Sequence, residues 1–286
     1  MIRPRVIRLR CMAFALLACS CVATAASAPD TRSGSEIMQR FHAGLAEDGC
    51  KDASPRWRRH YAHSANRLAG DAVALALFGY VLDAVRDARL PSEFALIPFV
   101  ESRYLADARS IGGPAGLWQF TTATARHHGM RVRGAIDQRT SPVSSTRAAV
   151  AYLGRLHRMF GRNWRRTTMA YNAGEGALKA SRGRQGRVLS GITRSYPDKL
   201  HAIACLFDAR RADARWQRAI QRQVPQLEPR RLPAGTHNLR GWARQQGLDP
   251  VLMAALNPGW HSGNRDVLAP VAGSSAAGRD GLGKAN

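Results

Sequence analysis

From residue 35 to residue 210, apolar side chains recur at the three- and four-residue spacing that marks one face of a helix. The clearest example follows Pro142, where Ala149, Leu153, Leu156 and Phe160 form an apolar row. Arginines occupy the other sides of this segment, as in an amphipathic helix that packs one face on a core. Convincing strand patterns are absent over the same range. The sequence therefore predicts a mainly α fold.

Breaks in the helical pattern divide the chain into segments. Leu90-Pro91-Ser92 separates two helical stretches, because proline ends a helix and serine caps the next one. After residue 210 the composition shifts towards Arg, Gln and Pro, which is typical of a linker, and the final residues are small and polar. The predicted organisation is a signal peptide at 1–26, an N-terminal helical segment at 35–88, a helical domain at 89–210, a linker at 211–231, a small unit at 232–270 and a disordered tail at 271–286.

The N-terminus has the order of a secretory signal. Four arginines precede the apolar stretch 12–18, and the small residues 23–26 follow it. The apolar stretch is too short to span a bilayer. A second interpretation is open, because Leu16-Leu17-Ala18-Cys19 resembles a bacterial lipobox, in which the signal ends at residue 18 and Cys19 is lipidated. We expect a periplasmic protein, which on the second interpretation is anchored to a membrane through Cys19.

The chain is strongly basic, with a formal charge of +23. A charge of this size suggests an anionic partner, and nucleic acid is the usual one. An export signal and the lack of a recognisable nucleic-acid module argue against that partner. An anionic envelope surface or an acidic wall polymer fits an exported protein better.

Glu101 is the principal candidate for chemistry. It ends the apolar run Phe94 to Val100, so its carboxylate is poorly solvated and its pKa is expected to rise. A carboxylic acid that stays protonated near neutral pH is the general acid needed to cleave a glycosidic bond. The sequence therefore predicts glycosidic-bond chemistry at Glu101.

Other acids near Glu101 are few. Glycosidases generally use two carboxylates, and the candidates for the second are Glu93, Asp107, Asp137 and Glu175. Asp107 lies in a polar loop, and Glu175 lies between glycines in a predicted turn. A single acid in an apolar setting favours a reaction in which the substrate supplies its own nucleophile. No cofactor and no metal are expected.

Four motifs in order carry a resemblance to a known family. Residues 90–102 resemble the catalytic segment of the lytic transglycosylases with a soluble-transglycosylase (SLT) domain, in the branch of the membrane-bound D-type enzymes. Gly116-Leu117-Trp118-Gln119 is similar to the second motif, residues 170–176 to the third, and Tyr196-Pro197-Asp198-Lys199-Leu200 to the fourth. Any one of these motifs alone is weak; four in order over residues 88–210 are specific.

The resemblance implies a lysozyme-like fold and a reaction on peptidoglycan glycan strands. Glu101 would protonate the oxygen of the β-1,4 bond between N-acetylmuramic acid and N-acetylglucosamine, and its anion would then activate the muramic acid C6 hydroxyl to form a 1,6-anhydro end. The alternatives are a hydrolytic muramidase of the goose lysozyme type and an inactive peptidoglycan-binding protein. Trp118 is either a core residue or a sugar platform. The resemblance also implies substrate-binding roles for Ser102, Ser110, Gln119, Tyr171, Asn172 and Tyr196.

Two features outside the motifs remain open. Residues 232–270 resemble a divergent LysM-type unit of strand-helix-helix-strand order, and the alternative is a pair of helices packed on the catalytic domain. Cys50 and Cys205 are the cysteines beyond the signal. They are either joined in a disulfide, which an oxidising compartment permits, or are two buried thiols.

Overall fold

The structure is a computed structural model that describes residues 28–47, 49–181, 186 and 188–273. The predicted signal peptide, including Cys19, lies outside the described residues. The helices are α1 (Gly34–His42), α2 (Pro55–Gly70), α3 (Ala72–Asp87), α4 (Ile97–Glu101), α5 (Thr122–His127), α6 (Pro142–Met159), α7 (Trp164–Ala173), α8 (Glu175–Ser181), α9 (Gly191–Arg194), α10 (Tyr196–Ala209), α11 (Ala214–Ile220), α12 (Leu239–Gln245) and α13 (Pro250–Leu256). The mainly α fold class is confirmed.

Strands are short and pair only in twos within the described residues. They are β1 (Thr31–Ser33), β2 (Val132–Arg133), β3 (Ile136–Asp137), β4 (Gln223–Pro225), β5 (Leu227–Arg231) and β6 (Asp266–Pro270). All three pairs, β1 with β4, β2 with β3 and β5 with β6, are antiparallel. The first and third pairs join parts of the chain that are far apart in sequence, so a local pattern does not reveal them.

The main core surrounds α3. This helix is apolar on most sides, and Leu75, Phe78 and Leu82 have no exposed surface. Asp71 starts the helix, because its carboxylate accepts hydrogen bonds from the amides of Val73 and Ala74. Helices α1, α2, α6 and α10 all contribute to the same core. The predicted segment 35–88 is therefore helical and shares one core with the domain that follows it.

The predicted linker at 211–231 is wrong. This segment forms a 3₁₀ turn, α11, β4 and β5 instead. Its apolar residues are widely spaced among Arg and Gln, but Trp216, Ile220 and Val224 are all buried in the main core. Because a few large side chains anchor the segment, its polar composition is a poor guide to its structure.

The C-terminal unit has the order β5-α12-α13-β6, which is the strand-helix-helix-strand order of the LysM-type interpretation. Leu232, Trp242, Met253 and Val267 form a small core of its own. The unit also packs on the catalytic domain, because Leu268 belongs to the main core. Both interpretations thus describe part of what is found, and glycan binding by this unit stays a prediction.

Two further predictions concern the cysteines and the tail. Cys50 and Cys205 form a disulfide, which ties the α1–α2 connection to α10. Val271, the first residue of the predicted disordered tail, extends the β structure, since its amide donates to the carbonyl of Gln226. Residues 274–286 lie outside the described residues. No single helix among those described has both the length and the apolar character to cross a membrane; α2 and α3 pass that test only together, across a 99° bend.

Candidate active site

Glu101 is the last residue of α4, a one-turn helix that follows a 3₁₀ turn at Ser92–Leu96. The preceding residues Ile97 and Phe99 are buried in the main core, so they fix the helix firmly beneath the glutamate. The Glu101 side chain itself is half-buried. The sequence thus places a carboxylic acid at the boundary between the core and the surface.

Tyr196 is the direct partner of Glu101. Its hydroxyl donates to Oε1 of Glu101 over 2.5 Å, and its own side chain is 2% exposed. Burial raises the pKa of Glu101, while the Tyr196 hydrogen bond and the charge of Lys199 lower it by smaller amounts. The net rise favours the protonated acid, and the hydrogen bond stabilises the anion formed after the proton has left.

Tyr171 connects the site to the second motif. Its hydroxyl donates to the carbonyl of Trp118 over 2.8 Å, and its ring lies close enough for the Glu101 charge to raise the Tyr171 pKa further above the value that burial sets. Trp118 is 1% exposed and its indole N–H donates to Thr146 Oγ1. Trp118 is therefore a core residue and not a sugar platform.

Ser102 differs from its prediction. It is 5% exposed, and its hydroxyl lies 3.0 Å from the carbonyl of Pro98 and 2.9 Å from that of Leu117. These contacts connect the Glu101 segment to the second motif. Ser102 is committed within the fold, so the predicted substrate contact is corrected to a positioning role.

Gln119 and Ser110 are brought together as a pair. The Ser110 hydroxyl donates to Oε1 of Gln119 over 2.7 Å, and the Gln119 amide donates to the carbonyls of Ala108 and Gly116. Gln119 has a φ of 47°, which is uncommon for a residue with a side chain. The backbone beneath it depends on Gly116, whose φ is 79° and where a Cβ would meet the carbonyl oxygen of Arg139 at 1.7 Å.

A cleft of about 280 Å³ opens beside this pair. Gln119, Tyr171 and Asn172 line it, so three of the predicted substrate-binding residues lie around the same cleft. Asn172 is exposed, and its Oδ1 accepts from the Thr193 hydroxyl over 2.9 Å. Ser110 contacts the cleft residue Gln119 by its hydrogen bond. Tyr196 is bonded to Glu101 and is almost fully buried.

Three residues near Glu101 were not among the predicted site residues, and two of them, Trp57 and Tyr61, lie outside every motif. Tyr61 on α2 lies near Glu101, whose charge helps raise the Tyr61 pKa to about 12 after burial. Lys199 stands one turn after Tyr196 on α10, with its Nζ 5.9 Å from the centre of the Tyr196 ring. Trp57 on α2 holds the same Nζ at 4.9 Å. The signal for Lys199 was its position within the fourth motif, whereas α2 carries no motif.

Three of the four predicted second acids have other partners, and the fourth, Asp107, is exposed. Glu175 is paired with Arg155 at 2.5 Å, Asp137 is paired with Arg139, and Glu93 is buried with its carboxylate on the amides of Ala46 and Glu47. Among the residues that the structure describes, no other carboxylate contributes to the pKa of Glu101. The same residues contain no group of three or more His, Cys, Asp or Glu side chains that could hold a metal ion.

In this helical domain a half-buried carboxylic acid, Glu101, has a raised pKa and accepts a hydrogen bond from a buried tyrosine, which is an arrangement suited to acid–base chemistry. Residues 83–190 match the family described as Transglycosylase SLT domain. Over these residues the chain is similar to the SLT-domain transglycosylases. Tyr196 lies beyond the matched residues, so its place in the site rests on its bond to Glu101.

Known proteins with similar sequences cover part of the chain. Membrane-bound lytic murein transglycosylase D of Escherichia coli is 36% identical over 164 residues, which is 55% of this chain and 35% of the relative. The peptidoglycan transglycosylase gp16 of an Escherichia phage is 40% identical over 83 residues, 29% of this chain and 6% of the relative. The chain thus spans about a third of the length of the first relative and far less of the second.

A solved structure is similar in part as well. It is an inactive variant of the lytic transglycosylase Slt from Pseudomonas aeruginosa, 19% identical, with a TM-score of 0.38 over 62% of this chain and 37% of the other. The fold class stated here rests on the helices of the chain itself.

Proposed function

We propose that the protein is a lytic transglycosylase that cleaves the β-1,4 bond between N-acetylmuramic acid and N-acetylglucosamine in peptidoglycan. The observation that carries the proposal is the Glu101–Tyr196 pair, whose charge acts on the cleft residue Tyr171, with no second carboxylate acting on Glu101 among the described residues. The two sequence relatives support the choice of substrate, because both are named as transglycosylases of murein or peptidoglycan.

The reaction proceeds in two proton transfers at one residue. Glu101, protonated because burial raises its pKa, gives its proton to the glycosidic oxygen as the bond to C1 of the muramic acid breaks. The substrate's 2-acetamido group stabilises the positive charge at C1. The Glu101 anion, held by the Tyr196 hydroxyl, then takes the proton of the C6 hydroxyl while that oxygen bonds to C1. Glu101 ends protonated, and the product has a 1,6-anhydro end.

Two other functions use the same site. In a hydrolytic muramidase, water attacks C1 in place of the C6 hydroxyl. In a binding protein without activity, the cleft holds the glycan and no bond breaks. The names of the two relatives favour the first function over hydrolysis, because the Glu101 anion is a base for either nucleophile and the site alone does not separate them.

Digestion of purified sacculi tests the proposal. The parent protein should release soluble fragments, and Glu101→Gln, which keeps the shape of the side chain but cannot donate the proton, should be slower by about a hundredfold to ten-thousandfold. Equal rates would exclude Glu101 as the acid. Binding of sacculi by the parent without release of fragments would support the inactive binding protein.

We also propose a location in the bacterial cell envelope. The basic charge and the name of the membrane-bound relative support this location. The more specific proposal is that lipidated Cys19 anchors the protein to a membrane. Metabolic labelling with a palmitate analogue tests it. Labelling of the parent and not of Cys19→Ala is the expected result, and an unlabelled parent would contradict the anchor.

A further inference from the structure

Helix α2, which carries Tyr61 near Glu101, is strongly basic. Its 16 residues include Arg56, Arg58, Arg59 and Arg67 but neither Asp nor Glu. Tyr61, Ala65 and Leu68 on another face of α2 are buried in the main core. The core therefore fixes the direction of α2. Arg56 and Arg59 are exposed and Arg58 and Arg67 are half-buried, with no carboxylate on their own helix.

Aromatic rings hold two cations beside Glu101. The Arg56 guanidinium lies 5.0 Å from the centre of the Trp57 ring, and Lys199 Nζ lies 4.9 Å from that centre. The Lys199 Nζ is also 5.9 Å from the Tyr196 ring. Contacts of this kind keep a cation in place without neutralising it. Trp57 and Lys199 are both half-buried, so this arrangement is more fixed than a typical surface lysine.

Arg103 is a third cation, and it lies near Tyr61. Its backbone adopts a φ of 54°, and its carbonyl accepts a hydrogen bond of 3.0 Å from Arg67. The Arg103 side chain is exposed and its charge lowers the Tyr61 pKa. Since the Trp57 and Tyr61 rings are 6.2 Å apart, the three cations border one continuous aromatic surface. We call Arg56, Trp57, Arg103 and Lys199 the α2 platform.

The three cations of the platform form no ion pair among the described residues, although the charge of Lys199 lowers the pKa of Glu101. The nearest acid in sequence to Lys199 is Asp198, and Asp198 is bonded to Arg165 at 2.8 Å. Arg165 of α7 also binds Glu47 at 2.7 Å, so these two carboxylates are paired with Arg165 and not with Lys199. Lys199 makes no side-chain hydrogen bond within the same part of the chain, which leaves three N–H donors for a ligand.

We propose that the α2 platform binds carboxylate groups of the acidic peptides carried by the glycan strand. This inference rests on the proposed function, because it takes peptidoglycan as the substrate. N-acetylated sugars are neutral, so these three cations, which form no ion pair and lie around Tyr61 and Glu101, have no counterpart on the sugar itself. The peptide substituents of muramic acid bear free carboxylates a few bonds from the reacting ring. The substrate class is therefore peptide-bearing glycan, in preference to an uncharged glycan.

The test measures binding to sacculi with and without their carboxylate charge. One batch is untreated, and in the other the free carboxyl groups are converted to methylamides by carbodiimide coupling with excess methylamine. Binding is measured in the Glu101→Gln background, so no substrate is consumed and changes in catalysis do not enter. We expect untreated sacculi to bind at least tenfold more tightly than amidated sacculi.

Variants of the platform should remove this preference. Arg56→Ala and Lys199→Met should each weaken binding to untreated sacculi about threefold to tenfold, the range for one charged contact at a partly exposed site. They should change binding to amidated sacculi less than twofold, and Lys199→Arg should restore most of the loss. Arg218→Ala is the matched control, because Arg218 is an exposed arginine on α11 with no acidic partner among the described residues. It should leave both affinities unchanged.

Each outcome decides the proposal. An equal loss with Arg218→Ala would overturn it in favour of unspecific attraction by the net charge. An equal loss on both kinds of sacculi would overturn it in favour of a packing defect, which thermal unfolding of each variant reports separately. Because binding is scored without turnover, a parent protein that binds by charge but releases no fragments would refute the proposed function and leave this inference standing.

Discussion

The Cys50–Cys205 disulfide should contribute much of the stability of the folded chain. The two cysteines are 155 residues apart in sequence, so the bond closes most of the chain into one loop. Restricting an unfolded loop of that length costs about 5 kcal/mol of conformational free energy in the chain-entropy model. Other contacts also hold the α1–α2 connection in the folded state, because Glu47 binds Arg165 and Glu93 accepts a hydrogen bond from the amide of Ala46. Reduction should therefore act mainly on the unfolded state.

The assay is urea unfolding followed by circular dichroism, with and without a thiol reductant. Measured values commonly fall below the entropy model, so we expect reduction to lower the free energy of unfolding by about 3–5 kcal/mol. The Cys50→Ala/Cys205→Ala variant is the control and should not respond to reductant. A loss of less than about 0.5 kcal/mol in the parent would refute the reasoning, since a bond that constrains the unfolded chain cannot be that weak.

Three further predictions concern the site and its supports. Tyr196→Phe removes a hydrogen bond to a charged group, worth about 1.5–3 kcal/mol, so the rate should fall about tenfold to a hundredfold. Since that bond lowers the Glu101 pKa, the alkaline limb of the pH–rate profile should move to higher pH; an unmoved limb would count against the pair. Burial raises the Glu93 pKa to about 7, so its contribution to stability is complete below pH 4.5 and is lost as the pH rises through 7. The parent should therefore lose about 3 kcal/mol relative to Glu93→Gln across that window in urea unfolding, and parallel curves would contradict this. Gly116→Ala should cost about 3 kcal/mol in the same assay, because its Cβ meets a carbonyl at 1.7 Å, while Gly113→Ala, with open space at its Cβ, should cost about 1 kcal/mol; equal costs would refute the packing argument.

The sequence was most informative where the chemistry is local. Glu101 at the end of an apolar run predicted a raised pKa, and the direction is confirmed. Spacing within helices predicted α6 and the mainly α class, because an amphipathic period is written in consecutive residues. Ser102 was misplaced, because its neighbour is the reacting residue and the sequence gives no sign that its hydroxyl points to Pro98 and Leu117.

The remaining features depend on contacts between distant segments. The 211–231 segment appeared to be a linker because its strands pair with β1 and β6, and those partners lie far away in sequence. Similarly, the contact of Trp57 with Lys199 depends on the packing of α2 against α10, which the sequence near Trp57 does not reveal. Composition describes a segment by itself, whereas these features are properties of two segments packed together.

The origin of the nucleophile tests the central claim most directly. Sacculi are digested by the parent protein in water enriched in ¹⁸O, and the soluble fragments are analysed by mass spectrometry. If the C6 hydroxyl attacks C1, the fragments carry 1,6-anhydro ends, are lighter than hydrolysed fragments by one water, and contain no ¹⁸O. Reducing ends that carry one ¹⁸O atom at each cleaved bond would show that water attacks and would contradict the account.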